Sequence, residues 1–130
     1  KLILFWFWNI LLMKIENFIN LFFDFFLFFK KNDHSKFVFY SEGGFYTKYY
    51  SDLACELNKH EKILVLTSDV EEKKYFNNLK IDCLYLGNGE IRKYILNNIK
   101  CDFLIITLTD IGQNFKKSPY VKKYVYYFHA

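Results

Sequence analysis

Arginine is almost missing from this chain. Arg92 is the only one, and the 18 basic residues, otherwise all lysine, face 14 acids for a net charge of +4. That surplus suits an anionic membrane surface or a phosphate-bearing substrate and is too slight to indicate nucleic acid, so no such partner is expected. The three cysteines, Cys55, Cys83 and Cys101, are odd in number and form no C-x-x-C pair. This argues against a disulfide framework or a zinc site and for buried thiols in a reducing compartment. No small-residue A-x-A step comes after the apolar start, which excludes a cleavable secretory signal. Neither "SEGG" nor "GNGE" matches G-x-G-x-x-G or the P-loop, so the usual nucleotide fingerprints are also missing. Asp69, Asp102 and Asp110 are scattered without a clustered ligand set, and no metal or cofactor is expected. The first residue is Lys1 rather than methionine, from which the chain is expected to be a piece of a longer protein.

What the chain has in excess is aromatic and aliphatic side chains, and they are concentrated at the front. The 130 residues are enough for one domain, with 52% hydrophobic and 22% aromatic content. "KLILFWFWNILLMKIENFINLFFDFFLFF" predicts a hydrophobic membrane-associated helix over residues 1–31. On a helical wheel Asn9, Glu16, Asn20 and Asp24 share one narrow stripe, at spacings of seven, four and four, with Lys14 off it. Two readings suit a membrane: a spanning helix whose stripe faces protein, or an amphipathic helix lying in the interface. The acidic stripe favours insertion, and packing on the globular part as core is the other alternative. Lys30, Lys31 and Lys36 flank the helix and place the rest of the chain at the cytoplasmic face of the cell membrane.

After a polar linker at 32–36, the apolar residues come in short runs, "FVFY", "ILVLT", "CLYLG", "FLIITLT" and "YVYYFH", separated by helical patterns. Tyr46, Tyr49, Tyr50, Leu53, Ala54 and Leu57 mark one helix face. Ser68 with Glu71 reads as a capping box, and Glu90 to Asn98 reads as the last helix. Runs that are apolar nearly throughout are covered on both faces, so residues 37–130 are expected to form a Rossmann-like α/β domain with a parallel sheet of about five strands.

Ligands of such sheets bind beyond the carboxyl ends of the strands. The sequence delivers Ser41, Glu42, Gly43 and Gly44 there, then Thr67-Ser68-Asp69, Gly87-Asn88-Gly89, Asp110 and Gly112, and finally His129. Simple tight turns are the alternative for the glycine pairs. "DIGQNFKKSPYVKK", with the only proline and four lysines, shows no helical periodicity and suits either an anion-docking connection or a solvated loop. His34 and His60 read as solvent-facing.

"FVFYSEGGFYTKYYSDLACEL", "VLTSD", "YLGNG", "CDFLIITLTDIG" and "KKYVYYFHA" together resemble the N-terminal half of the CDP-glycerol glycerophosphotransferase family, which includes teichoic-acid primases and polymerases. The resemblance covers about residues 36–130 in consistent order, with the leader matching only as a generic anchor. It implies the first of two Rossmann-like domains of a GT-B transferase. Its reaction would move glycerol phosphate from CDP-glycerol to a hydroxyl of a lipid-linked or membrane-borne acceptor. The donor would be held mainly by a second domain beyond residue 130, without which the chain is expected to be inactive. In this reading His129, in "FHA", is the general base, and Ser41, Glu42, Gly43, Gly44, Asp110 and Gly112 contact substrate. A histidine that merely caps its strand is the alternative for His129. A non-catalytic membrane-anchored Rossmann-like module and a GT-B glycosyltransferase with another nucleotide-sugar donor are the alternatives for the whole.

Overall fold

The computed structural model describes residues 1–31, 35–43, 47–107 and 116–127. Its elements run α1 (Leu2–Lys31), β1 (Phe37–Ser41), α2 (Thr47–His60), β2 (Ile63–Thr67), α3 (Val70–Asn78), β3 (Asp82–Tyr85), α4 (Glu90–Asn98), β4 (Cys101–Ile106) and β5 (Val121–Tyr126). The five strands form one sheet in the order β3-β2-β1-β4-β5, and every pairing is parallel. The fold is Rossmann-like, as the runs of branched and aromatic residues predict.

Each face of the sheet has its own core. On one face α1 and α4 cover Val38, Tyr40, Leu64, Leu66, Leu104 and Ile106. On the other, Tyr50 and Ala54 of α2 and Phe76 of α3 cover Phe39, Val65 and Ile105. The central strands therefore alternate between two apolar layers, which is why they read as continuous rather than alternating hydrophobic sequence. Along α2 the buried residues are Tyr50, Ser51 and Ala54, while Leu53 is turned to solvent. At α3 the cap is displaced by one residue from the sequence expectation. Asp69 caps the helix by accepting from the Glu71 amide at 3.0 Å, because the Ser68 hydroxyl is taken by Tyr40 at 3.0 Å.

The last strand departs further. Pairing of Cys101 with Val121 starts β5 before the aromatic run, and β5 is the border strand, half-exposed, rather than a strand covered on both faces. Lys122 and Lys123 on it face solvent, as suits an edge that must not pair with another chain. The connection read as lacking helical periodicity lies outside the described residues over 108–115.

The opposite border, β3, is closed by side chains. Its outward amides are those of Cys83 and Tyr85; the first donates to Asn77 Oδ1 at 3.3 Å and the second to Asp24 Oδ2 at 2.7 Å. Asp24 belongs to α1, and Lys73 Nζ of α3 lies 2.8 Å from the same oxygen while also donating to Asn20 Oδ1 at 2.9 Å. Glu16 Oε1 lies 3.9 Å from Lys74. Three of the four stripe residues thus face the domain, and Phe28 enters the core beside them. Gly87 takes a left-handed φ of 67° where the methyls of Leu21 would lie 3.4 Å from an added Cβ, so the turn after β3 fits α1 closely. Most of the other apolar side chains of α1 are exposed. The helix is long and apolar enough to cross a membrane, with a mean hydropathy of 1.5.

Candidate functional site

Strand order reverses direction between β1 and β4, and the carboxyl ends of these strands are where an open parallel sheet leaves a crevice. The described residues at that place come from β1, the starts of α2, α3 and α4, and the end of β5. Ser41 closes β1 and is fully buried, its Oγ 3.2 Å from Glu72 Oε2 and 3.1 Å from the Gly43 carbonyl, while it accepts from the Gly43 amide at 3.3 Å. The serine side chain therefore shapes the turn from within, and the backbone of Gly43 and the exposed Glu42 form its outer surface.

Glu72 organises this corner. It lies in the first turn of α3, only 2% exposed, where the partial positive charge of the helix start favours a carboxylate. Its Oε2 also accepts from Thr47 Oγ1 at 2.6 Å, and its Oε1 from the Tyr50 hydroxyl at 2.5 Å. One carboxylate with three hydroxyls around it joins the end of β1, the start of α2 and the start of α3. An ionised carboxylate can only accept, so three donors suit it.

Burial, and after it the charge of Glu72, pushes the Tyr50 phenol well above its ordinary value near 10. Above about pH 10 the unfolded chain gives up a proton that the folded chain keeps, so stability falls as pH rises past that point and is unaffected below it. Urea unfolding from about pH 8 to 11 is expected to show that fall. Tyr50→Phe should make it shallower, leaving the shares of Tyr40, Tyr85, Tyr124, Cys83 and Cys101, which burial also raises. An equal slope in the variant would remove Tyr50 as its source.

A second network runs beside the first. Tyr40 at the end of β1 meets Ser68, and Arg92 Nη1 in the first turn of α4 lies 3.4 Å from the Tyr40 hydroxyl and 3.6 Å from Glu42 Oε1. Arg92 is mostly buried, with 17% of its side chain exposed. Sequence reasoning passed over it as a site residue. The available signal was that the chain's sole arginine opens a helix directly after the third strand's glycine turn; its neighbourhood to β1 depends on the strand order.

Four of the predicted site residues, Gly44, Asp110, Gly112 and His129, lie outside the described residues, as do His34 and Tyr46. The strand leading toward His129 is described to its end. The Tyr127 amide donates to Ile106 O at 2.8 Å and its hydroxyl to Tyr49 O at 2.5 Å, which fixes Tyr127 at the carboxyl ends of β4 and β5 beside the start of α2. His60 stands exposed at the far end of α2, 3.6 Å from Glu56.

Among the described residues no group of three histidine, cysteine or acidic side chains is placed to hold a metal. Burial pushes the Cys101 thiol up to about 12 and Cys83 well above its ordinary value, which leaves both as protonated packing groups rather than nucleophiles. Two cavities open at the rim. One of about 330 Å³ lies between the starts of α2 and α3, against Thr47, Lys48, Asp69 and Glu72. The other, about 430 Å³, lies between α1 and the rim, against Met13, Asn17, Asp69, Tyr85 and Asn88. Comparison with known protein families, with curated proteins and with solved structures finds no match to this chain.

Proposed function

We propose that this chain is the acceptor-side domain of a membrane-associated transferase that moves glycerol phosphate from CDP-glycerol to a hydroxyl of a cell-surface polymer or glycan at the cytoplasmic face of the membrane. The observation that carries the reading is the all-parallel sheet, which brings the ends of all five strands to one rim. The segments on which the family resemblance rests contain those strands. The apolar helix α1 supports the membrane half of the proposal.

In this reading the His129 side chain takes the proton of the acceptor hydroxyl, a task at neutral pH that suits imidazoles in general, whose unperturbed pKa is about 6.5. The freed oxygen bonds to the glycerol-bearing phosphorus as the bond from that phosphorus to the bridging oxygen breaks, and CMP leaves with the bonding electrons. Developing negative charge on the phosphoryl oxygens needs a cation nearby, and Arg92, held by Tyr40 and balanced by Glu42, is the rim's guanidinium. Donor binding falls mainly to a second domain.

The test uses the chain extended by its natural reading frame. CMP release from CDP-glycerol is expected, and His129→Ala should lower it by about a hundredfold, with His60→Ala unchanged. Undiminished turnover in the His129 variant removes that residue from the chemistry. Release from a nucleotide sugar in place of CDP-glycerol would replace the donor assignment.

A further inference from the structure

Helix α1 is two structures in one. From Met13 onward one face is docked, with Asn17 at the rim cavity, Leu21 against Gly87, Asp24 and Asn20 on Lys73, and Phe28 in the core, while Phe18, Phe22, Phe23, Phe26 and Phe29 on the other face stay exposed. Before Met13 it is almost bare: the side chains of residues 2–8 are 58 to 84% exposed, Leu11 and Leu12 are exposed as well, and only Ile10 is partly covered. The direction of the helix settles where this free half goes. Met13 and Asn17 meet Ser68, Asp69 and Asn88 at the carboxyl ends of the strands, and the other end of α1 leads back to β1 at their amino ends. The free half therefore projects past the carboxyl-end rim, the same rim that carries Ser41, Glu42 and Arg92.

Apart from Asn9, residues 2–12 are apolar around the helix and need an apolar medium on nearly all sides, whereas a second copy or a protein groove would cover one side. Residues 2–12 rise by about 16 Å, roughly half of a hydrocarbon core about 30 Å thick. Lys14, exposed at the junction of the free and docked halves, has a stem long enough to keep its charge among headgroups.

The geometry points to a lipid bilayer as the occupant: the free half of α1 enters it, and the docked half, held by Asp24 and Lys73, turns the carboxyl-end rim of the sheet toward the lipid surface. This rests on the membrane attachment in the reading above and not on its chemistry. Full spanning by the described helix would draw Asp24 off Lys73 and Tyr85, so only the free half can be surrounded by lipid, and the docked half can offer it no more than its exposed face. The rim near the exit carries Asp69, Glu71 and Glu90 with Lys74, a balance that gives anionic lipid no advantage. Burial of nine large apolar side chains contributes more than those charges oppose, and binding is expected in uncharged phosphatidylcholine as well as in mixtures with phosphatidylglycerol.

The two tryptophans, Trp6 and Trp8, both lie in the free half and report on it directly. In phosphatidylcholine vesicles their emission should shift to the blue and fall severalfold when the lipid is brominated along its chains. Orientation is read from a polarity-sensitive dye on Asn88→Cys at the rim or on Asn78→Cys at the opposite end of α3, each with Cys55→Ser, since Cys83 and Cys101 are buried. A headgroup-attached quencher should dim the dye at position 88 and leave the one at 78 unchanged, with circular dichroism checking that both variants are folded. Tryptophans untouched by brominated chains, a dimer that buries them without lipid, or equal quenching at 78 and 88 would each overturn the assignment. Neither measurement involves CDP-glycerol, so failure of the transferase reading leaves this result standing, and failure here leaves CMP release in detergent to be judged separately.

Discussion

Lys73→Ala is expected to destabilise the domain by about 3–5 kcal/mol, the cost of leaving a buried charge without its partner. The partner is Asp24, 3% exposed, with Lys73 Nζ at 2.8 Å and 17% exposed. Both ions have left water, so their attraction must offset a desolvation cost that neither could bear alone. Alanine removes the cation and also strands Asn20 Oδ1. The carboxylate keeps one donor, the Tyr85 amide, and that amide closes the border of the sheet. Urea unfolding followed by circular dichroism should show the midpoint moved with little change in slope if the domain still unfolds as one unit. The paired replacement Asp24→Leu with Lys73→Met should recover a large part of the loss, because it deletes both charges and fills the space with apolar atoms. A cost below about 1 kcal/mol for Lys73→Ala would put the pair in the class of surface salt bridges and remove it as the clamp on α1.

The same pair shows where a sequence stops being readable. The stripe of Glu16, Asn20 and Asp24 is visible on a wheel, but the surface it faces is not, since a spanning helix with a protein-facing stripe and a helix packed on its own domain share one periodicity. The choice depends on Lys73, remote in sequence and brought alongside by the fold. Asn9, on the same stripe, lies beyond the reach of the domain and stays exposed, so the stripe is only partly one interface. The parallel sheet was legible because fully buried strands lose their polar alternation, as Val65 and Leu66 show. Its borders were not: "YVYYFH" has the apolar content of a covered strand, but β5, Val121–Tyr126, sits half-exposed, and only the order of pairing reveals that.

At the rim, the turn residues after β1 were legible, because an α/β connection must place polar and glycine-rich sequence there. The direction in which Ser41 points was not. In "VEEKK" two glutamates stand side by side at a helix start, and nothing local distinguishes Glu71, exposed and bonded to Lys74, from Glu72, buried among three hydroxyls. The distinction arises from the packing of α2 and α3 on one face of the sheet.

That difference gives the second large effect. Glu72→Ala is expected to cost about 3–5 kcal/mol, because it leaves the hydroxyls of Thr47 and Tyr50 without their acceptor and takes from Ser41 one of two, each such loss being worth about 1–3 kcal/mol in a buried place. Ser41 can still turn to the Gly43 carbonyl at 3.1 Å, which is why its share is the smallest. Glu72→Gln keeps one acceptor oxygen and adds two donors where three hydroxyls already donate, so it should fall between alanine and the native residue. Glu71→Ala, one position away and facing solvent, should change stability by less than about 0.5 kcal/mol. Since Glu72 joins β1, α2 and α3 at the rim, its loss should also loosen the Ser41–Gly43 turn before it unfolds the sheet. Amide hydrogen exchange at Gly43 is therefore expected to rise more in Glu72→Gln than exchange at Val65 in the buried strand. Equal increases at the two positions would mean that Glu72 supports the whole domain evenly and does not organise the rim.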